Sequence, residues 1–284
     1  MGVTDCHVHI NPIWEMHPDA RALVGRGHAA AGLEQYVHDP RGFLEYLDRS
    51  GVERAVLVNY VSPEVVGYTD KANDFVRDYA RADPARLIAC GSVLPTAPHP
   101  AARVRELVHE FGIRALKLHP PHQRFDPNAY VHGNGEGLRA IYGQCADERI
   151  PVIVHTGTSV FPGARNRHAE PMLLEDVAID FPKLTIVLAH AGRPLWMDQA
   201  VFLARRFANV FLELSSIPPA RIPAWLPELP KVVEKTLFGS DWPGPGVTDI
   251  GANLAAFRAL PFPPAMIERI LTENAERVFP RRAH

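Results

Sequence analysis

Eight short, continuous apolar runs, separated by amphipathic segments, predict a single (β/α)8 barrel for this 284-residue chain. The runs are rich in Val, Ile and Leu and do not alternate with polar residues, as parallel strands covered on both faces require. The length suits one such barrel, and a hydrophobic content of 46% can fill its core. A doubly wound open sheet is the structural alternative. The strand count and the absence of a Gly-rich turn after the first strand disfavour it.

In chain order, strands are expected at 3–9, 54–59, 87–91, 113–118, 151–155, 184–189, 210–214 and 236–239. Helices are expected at 41–50, stopped by Gly51, at 70–83, and at 101–111, stopped by Gly112. Further helices follow at 137–149, 170–180, 194–207 and 249–260, whereas the connection between the seventh and eighth strands is short and Pro-broken. Residues 264–278 read as closing helices. The 27 prolines fall mostly at loop edges and element starts, where a missing N–H is tolerated. Residues 10–40, with Pro12, Trp14 and Pro18, read as a long first βα loop over the barrel mouth, and such loops commonly form lids or substrate walls. No repeat or linker divides the chain, so 1–284 is expected to be one domain.

A net charge of −2 and no long Lys/Arg run argue against nucleic acid or an anionic membrane surface as partner. No apolar run is long enough to span a bilayer, and the N-terminus lacks a basic and apolar leader pattern. Cys6, Cys90 and Cys145 form no CxxC pair, which suits a reducing cytoplasm. An assembly of identical copies is compatible with this composition.

Chemistry enters at Asp5-Cys6-His7-Val8-His9. On a strand, alternate side chains share a face, so His7, His9 and Asp5 would point together and Cys6 away from them into the packing. Two imidazoles on one face are half of a transition-metal site. They could also be polar residues on a half-exposed strand. His155 ends the fifth strand, His190 follows the sixth, and Asp241 follows the eighth. All lie at C-terminal strand ends, the rim on which barrel active sites are built. One such histidine is ordinarily a satisfied core or loop residue; four with an aspartate are hard to explain by packing.

In this order the motifs resemble the amidohydrolase superfamily of metal-dependent barrels. The closer similarity is to the branch with aminocarboxymuconate semialdehyde decarboxylase and related hydrolases. It rests on the HxH strand, His155, His190 and Gly239-Ser240-Asp241-Trp242-Pro243, and extends to Glu273-Asn274-Ala275 and Arg277-Val278-Phe279. The resemblance implies that His7, His9, His155 and Asp241 hold one divalent ion, zinc first, with manganese or iron(II) as alternatives. It makes His190 the acid/base beside them. The donor types agree with this, since imidazole and carboxylate suit zinc, and an open position lowers the pKa of bound water to about 7. Asp241 could then take the proton, and His190 could polarise a carbonyl or shuttle a proton.

Lys117 lies where binuclear relatives carry a carboxylated lysine. An ion pair inside the barrel or a substrate contact is the preferred reading, because this branch is usually mononuclear. Its register puts His119 on the same face. Glu213 could pair with Lys117, orient a ligand histidine, or simply fill a barrel layer. Arg193 and Arg165 could grip a substrate carboxylate in a bidentate fork, although each could equally be a solvated loop residue. Trp14, Trp196 and Trp242 could form an aromatic wall. Gly133-Asn134-Gly135-Glu136-Gly137 is a loop into a helix, not a nucleotide fingerprint.

The leading expectation is a zinc-dependent hydrolase acting through metal-activated water on an amide, ester or lactone of a small, carboxylated molecule. Non-oxidative decarboxylation of an unsaturated or aromatic acid on the same site is the alternative. A phosphoesterase, which can also begin with HxH, is disfavoured by the motif after the eighth strand. A non-catalytic metal-binding barrel is the third reading.

Overall fold

The computed structural model describes residues 2–24, 29–244 and 246–281. Eight strands pair in sequence order, each parallel to the next. They are β1 (Thr4–Val8), β2 (Arg54–Val58), β3 (Leu87–Gly91), β4 (Ala115–Leu118), β5 (Val152–His155), β6 (Ile186–Ala189), β7 (Val210–Glu213) and β8 (Thr236–Leu237). The ring closes by backbone bonds between β1 and the segment after β8: Cys6 N–H to Phe238 O (3.0 Å), Asp241 N–H to His7 O (2.8 Å) and His9 N–H to Trp242 O (2.7 Å). The expected (β/α)8 barrel is the observed one.

Strand residues divide by period two. Val56, Val58, Ile88, Cys90, Ile153 and Val187 share one apolar cluster in the barrel interior, which Ala275, Val278 and Phe279 close. Their alternates, such as Leu57, Leu116, Val154 and Leu188, pack in the second cluster with the helices outside. Arg54 is fully buried and ties the closing segment down, donating to Glu276 Oε2 (2.9 Å) and to Phe279 O (2.5 Å).

The helices start where their caps require. Asp39 accepts the N–H of Gly42 (2.9 Å) ahead of Pro40–Arg49, and Asp249 accepts that of Ala252 (2.7 Å) ahead of Ile250–Arg258. Residues 10–40 connect β1 to the helix Pro40–Arg49, with 25–28 outside the described residues. They hold a short turn at Ile13–Glu15 and helices at Pro18–Val24 and Ala29–Tyr36. The Pro18-Asp19 start and the run of three alanines at 29–31 are the helix signals within this long βα connection.

Strand β1 departs from strict alternation. Asp5 pairs with Ala55 and Val8 with Leu57, so β1 spends one residue more than β2 over that interval. Cys6 therefore sits in the interior cluster and Val8 in the outer one. This corrects the expectation that Cys6 points to the face opposite His7: it is packed, but in the interior. Asp5 does not join the imidazoles either: its Oδ1 accepts the backbone N–H of His7 (3.1 Å) and of Ser240 (2.9 Å), fastening the irregularity.

Candidate metal centre

His155 ends β5, His190 follows β6, and Asp241 lies in the turn after β8. His190 (φ 66°) and Asp241 (φ 67°) are both in the left-handed region. For residues other than glycine such a backbone costs on the order of 1 kcal/mol or more, and it is found where a side chain must be aimed.

The nitrogen that faces the centre is decided by the partner of the other one. His9 Nδ1 lies 2.9 Å from the Val58 carbonyl oxygen, and His190 Nδ1 lies 3.2 Å from that of Ser215. A carbonyl only accepts, so both Nδ1 atoms carry the hydrogen and the neutral rings present a bare Nε2 lone pair. His7 Nδ1 meets Glu213 Oε2 at 2.8 Å, with the same consequence. Glu213, fully buried, serves two rings at once. Ser215 Oγ donates to its Oε2 (2.7 Å) and stands 2.8 Å from His190 Nδ1.

These lone pairs converge. Donor atoms of His7, His190 and Asp241 all lie within 4.8 Å of one another. Asp241 Oδ1 is 3.2 Å from His9 Nε2 and 3.6 Å from His7 Nε2. The Nε2 atoms of His7 and His155 are buried without a hydrogen-bond partner, and the His155 ring lies 4.6 Å from that of His190. Burial pushes the pKa of His7 down, helped by the charge of Lys117 and opposed by Glu213. Burial also holds His155 and His190 well below the usual imidazole range, reinforced by neighbouring positive charge. Burial alone would raise the Asp241 carboxyl; a hydrogen from His9, positive charge at His7 and His9 and the Ser216 hydroxyl pull it below the usual range, and with both rings neutral that positive charge has to come from a bound cation. Bare lone pairs around an ionised carboxylate call for a cation between them. The donor set fits a divalent ion.

A cavity of about 540 Å³ opens over this cluster, and Lys117, Arg193, Tyr60, His122, Ser159 and Phe161 are among its walls. Lys117 is 1% exposed and its Nζ has no hydrogen-bond partner; nor has Arg193 Nε. Burial pushes the Lys117 amine down to about 8, against the pull of Asp241, Cys90 and Glu213. His119 stacks between His155 (3.9 Å) and His122 (3.6 Å).

A family model described as Amidohydrolase matches residues 4–281. The chain belongs to the amidohydrolase family. A sequence comparison with curated proteins gives no match. Among solved structures, the chain is similar to an uncharacterised TIM-barrel protein from Bordetella bronchiseptica, at 23% identity and TM-score 0.76 over 98% of both chains. It is also similar to a probable 2-pyrone-4,6-dicarboxylic acid hydrolase from Acinetobacter baumannii with citric acid bound, at 17% identity and TM-score 0.66 over 98% of this chain and 99% of that one. A 5-carboxyvanillate decarboxylase from Novosphingobium aromaticivorans, with bound manganese and a nitrobenzoic acid, matches at 17% identity and TM-score 0.66 over 98% and 96%. At these identities the likeness is one of fold.

Several expected contacts of this amidohydrolase lie elsewhere. Arg165 is exposed and outside the cavity walls, turned out by the short turn it precedes, whereas Arg193 is on the wall. Trp14 is 50% exposed and stacks on His38, while Trp242 is buried against Phe43 and Tyr46; neither Trp14, Trp196 nor Trp242 lines the cavity. The aromatic wall is Tyr60, Tyr68 and Phe161. The Lys117–Glu213 pair does not form, because the Glu213 oxygens are taken by His7 and Ser215. Tyr60, His122 and Ser159 on the cavity wall and Ser215 beside Glu213 stand in no motif named above. His122 alone carried a signal, as the second histidine of His119-Pro120-Pro121-His122 just past β4.

Proposed function

We propose that the chain is a metal-dependent hydrolase acting on an ester, lactone or amide of a small carboxylated molecule. His7, His9, His155 and Asp241 would hold one divalent ion, zinc in first place. The observation that carries the reading is the set of Nε2 lone pairs around Asp241: those of His7, His9 and His190 have their Nδ1 hydrogens anchored elsewhere, and that of His155 is buried without a partner. A divalent ion in that position supplies a Lewis acid and lowers the pKa of water.

The chain's own residues divide the remaining work. His190 offers a bare Nε2 and Asp241 an ionised carboxylate, so both are prepared to accept a proton from water and not to deliver one. That state favours hydrolysis over protonation of a carbon. After attack on the carbonyl, either group can return the proton to the leaving oxygen or nitrogen. Lys117 and Arg193, with unpartnered buried N–H groups, supply positive charge for a substrate carboxylate.

Decarboxylation on the same residues is the second reading, supported by the structural likeness to a carboxyvanillate decarboxylase. One panel separates them. Metal content is measured by elemental analysis, then small lactones, esters and amides are followed by acid release, and unsaturated and aromatic acids by CO2 release. Acid release without CO2 is the expected result. CO2 from an acid, with no turnover of any lactone, ester or amide, would replace the hydrolase reading by the second one.

A further inference from the structure

Tyr60, His122 and Ser159 form a hydrogen-bonded series on the cavity wall. Tyr60 Oη lies 3.2 Å from His122 Nδ1, and His122 Nε2 lies 2.7 Å from Ser159 Oγ. Tyr60 and His122 are buried, while Ser159 is half-buried in the loop after β5. Stacking on His119 (3.6 Å) and the edge of Phe161 (5.0 Å) hold the His122 ring in place.

The direction of the series follows from counting hydrogens. Tyr60 Oη has His122 as its hydrogen-bond partner among the described residues. If His122 Nδ1 carried the ring hydrogen, the Tyr60 hydrogen would be left buried without an acceptor, a state proteins avoid. Tyr60 therefore donates to Nδ1, and the neutral ring donates from Nε2 to Ser159 Oγ. Burial first, then the charge of Lys117, keeps the ring neutral, pushing it down to about 3. Ser159 Oγ also accepts the N–H of Phe161 (3.3 Å). A hydroxyl has two lone pairs and one hydrogen. Both lone pairs are filled from the protein, so the hydrogen is what Ser159 has left to offer the cavity.

We infer that this series makes Ser159 a one-way hydrogen-bond donor for an uncharged acceptor oxygen of the substrate, a ketone, ester or lactone carbonyl. A carbonyl gains a bond there; an amide N–H or ammonium meets another donor. The series is a specificity device and not a second base, since it exposes no lone pair. It deepens the proposed function and rests on the cavity being the substrate site.

The test uses metal-loaded protein and matched carboxylates: levulinate against pentanoate, and the next two homologues of each. Dissociation constants come from titration calorimetry. One of the oxo acids is expected to bind wild type about fivefold tighter than its alkanoate, as a neutral hydrogen bond supplies. Ser159→Ala removes that preference. So does Tyr60→Phe, because the freed His122 ring can reverse its tautomer and accept from Ser159. The double variant loses no more than either single one. No preference in wild type overturns the inference, and so does a preference that survives in Tyr60→Phe. Nitrogen–proton correlation spectra add a readout free of ligand, and a wild-type His122 protonated at Nδ1 also overturns it. Turnover is judged separately in the lactone and ester panel. Turnover without the oxo-acid preference removes this inference alone; the preference without turnover supports it and removes the hydrolase reading.

Discussion

Lys117 gives the sharpest pH-dependent prediction. Its amine is buried, unpartnered and lowered from 10.5 to about 8. A lowered folded-state value means that the unfolded chain binds more protons between those two limits. Stability therefore rises with pH across that window; the contribution is fully present above 10.5 and is lost as pH falls through 8. The shift corresponds to about 3 kcal/mol of cost carried at neutral pH by the buried ammonium. Lys117→Met keeps the chain length and removes the charge. Urea unfolding of chelator-treated protein, wild type against variant, is followed from pH 7 to pH 10. The variant's advantage is expected to shrink by about 2.5 kcal/mol over that range, because wild type recovers most of what the variant never lost. In melting temperature this is on the order of 5 °C for a chain of this size. Parallel pH profiles for the two proteins would refute the reasoning, since they would mean that Lys117 is solvated or paired. The same ammonium is expected to grip the substrate carboxylate, so binding of a small carboxylate should weaken as pH rises through 8 in wild type and stay flat in Lys117→Met.

Glu213→Gln removes the charge that orients His7 and, through Ser215, His190; metal affinity measured by chelator competition is expected to fall about 10- to 100-fold. An unchanged affinity would leave Glu213 as ordinary barrel filling. Asp241→Asn should lower kcat at least about 100-fold while circular dichroism and thermal unfolding remain near wild type, because the residue sits on the rim above the packed layers. Near-normal turnover would exclude it as ligand and base. Gly239→Ala is expected to reduce metal content in purified protein, because the new Cβ would strike the Glu213 carboxylate and approach His7 Cβ to 2.9 Å. A variant with full metal loading would show that these two side chains can yield.

Much of the barrel was legible because burial on both faces leaves a direct imprint. Runs such as Ile153-Val154 and Val187-Leu188 are apolar at every position, and eight of these call for a parallel sheet covered on both faces, which here closes into a barrel. The rim residues were legible for the opposite reason: His155, His190 and Asp241 interrupt those runs at their ends, where a polar group is costly unless it has work to do. The cavity wall was not legible. Whether Arg193 or Arg165 faces inward depends on a loop path of a few residues, and no periodicity encodes that path. The same holds for Trp242, which the sequence places beside Asp241 but which packs outward on Phe43.

Strand β1 shows how a correct site can rest on partly wrong geometry. Alternation places His7 and His9 on one face and Cys6 on the other, and the pairing of the histidines survives. The extra residue between Asp5 and Val8 nevertheless brings Cys6 and His7 to the interior in succession. It has a chemical effect. Cys6 fills the apolar layer below, while His7 rises to the level at which Glu213 can take its Nδ1 hydrogen. Without the irregularity, one of the two would face the helices, leaving either a gap in the barrel layer or an imidazole buried among leucines. Asp5 is what holds the extra residue, by accepting the N–H of His7 and of Ser240 from opposite sides of the seam. The acid that the sequence offers as a neighbour of the imidazoles thus acts on backbone: it joins the strand carrying His7 to the turn carrying Asp241 and fixes the spacing between them.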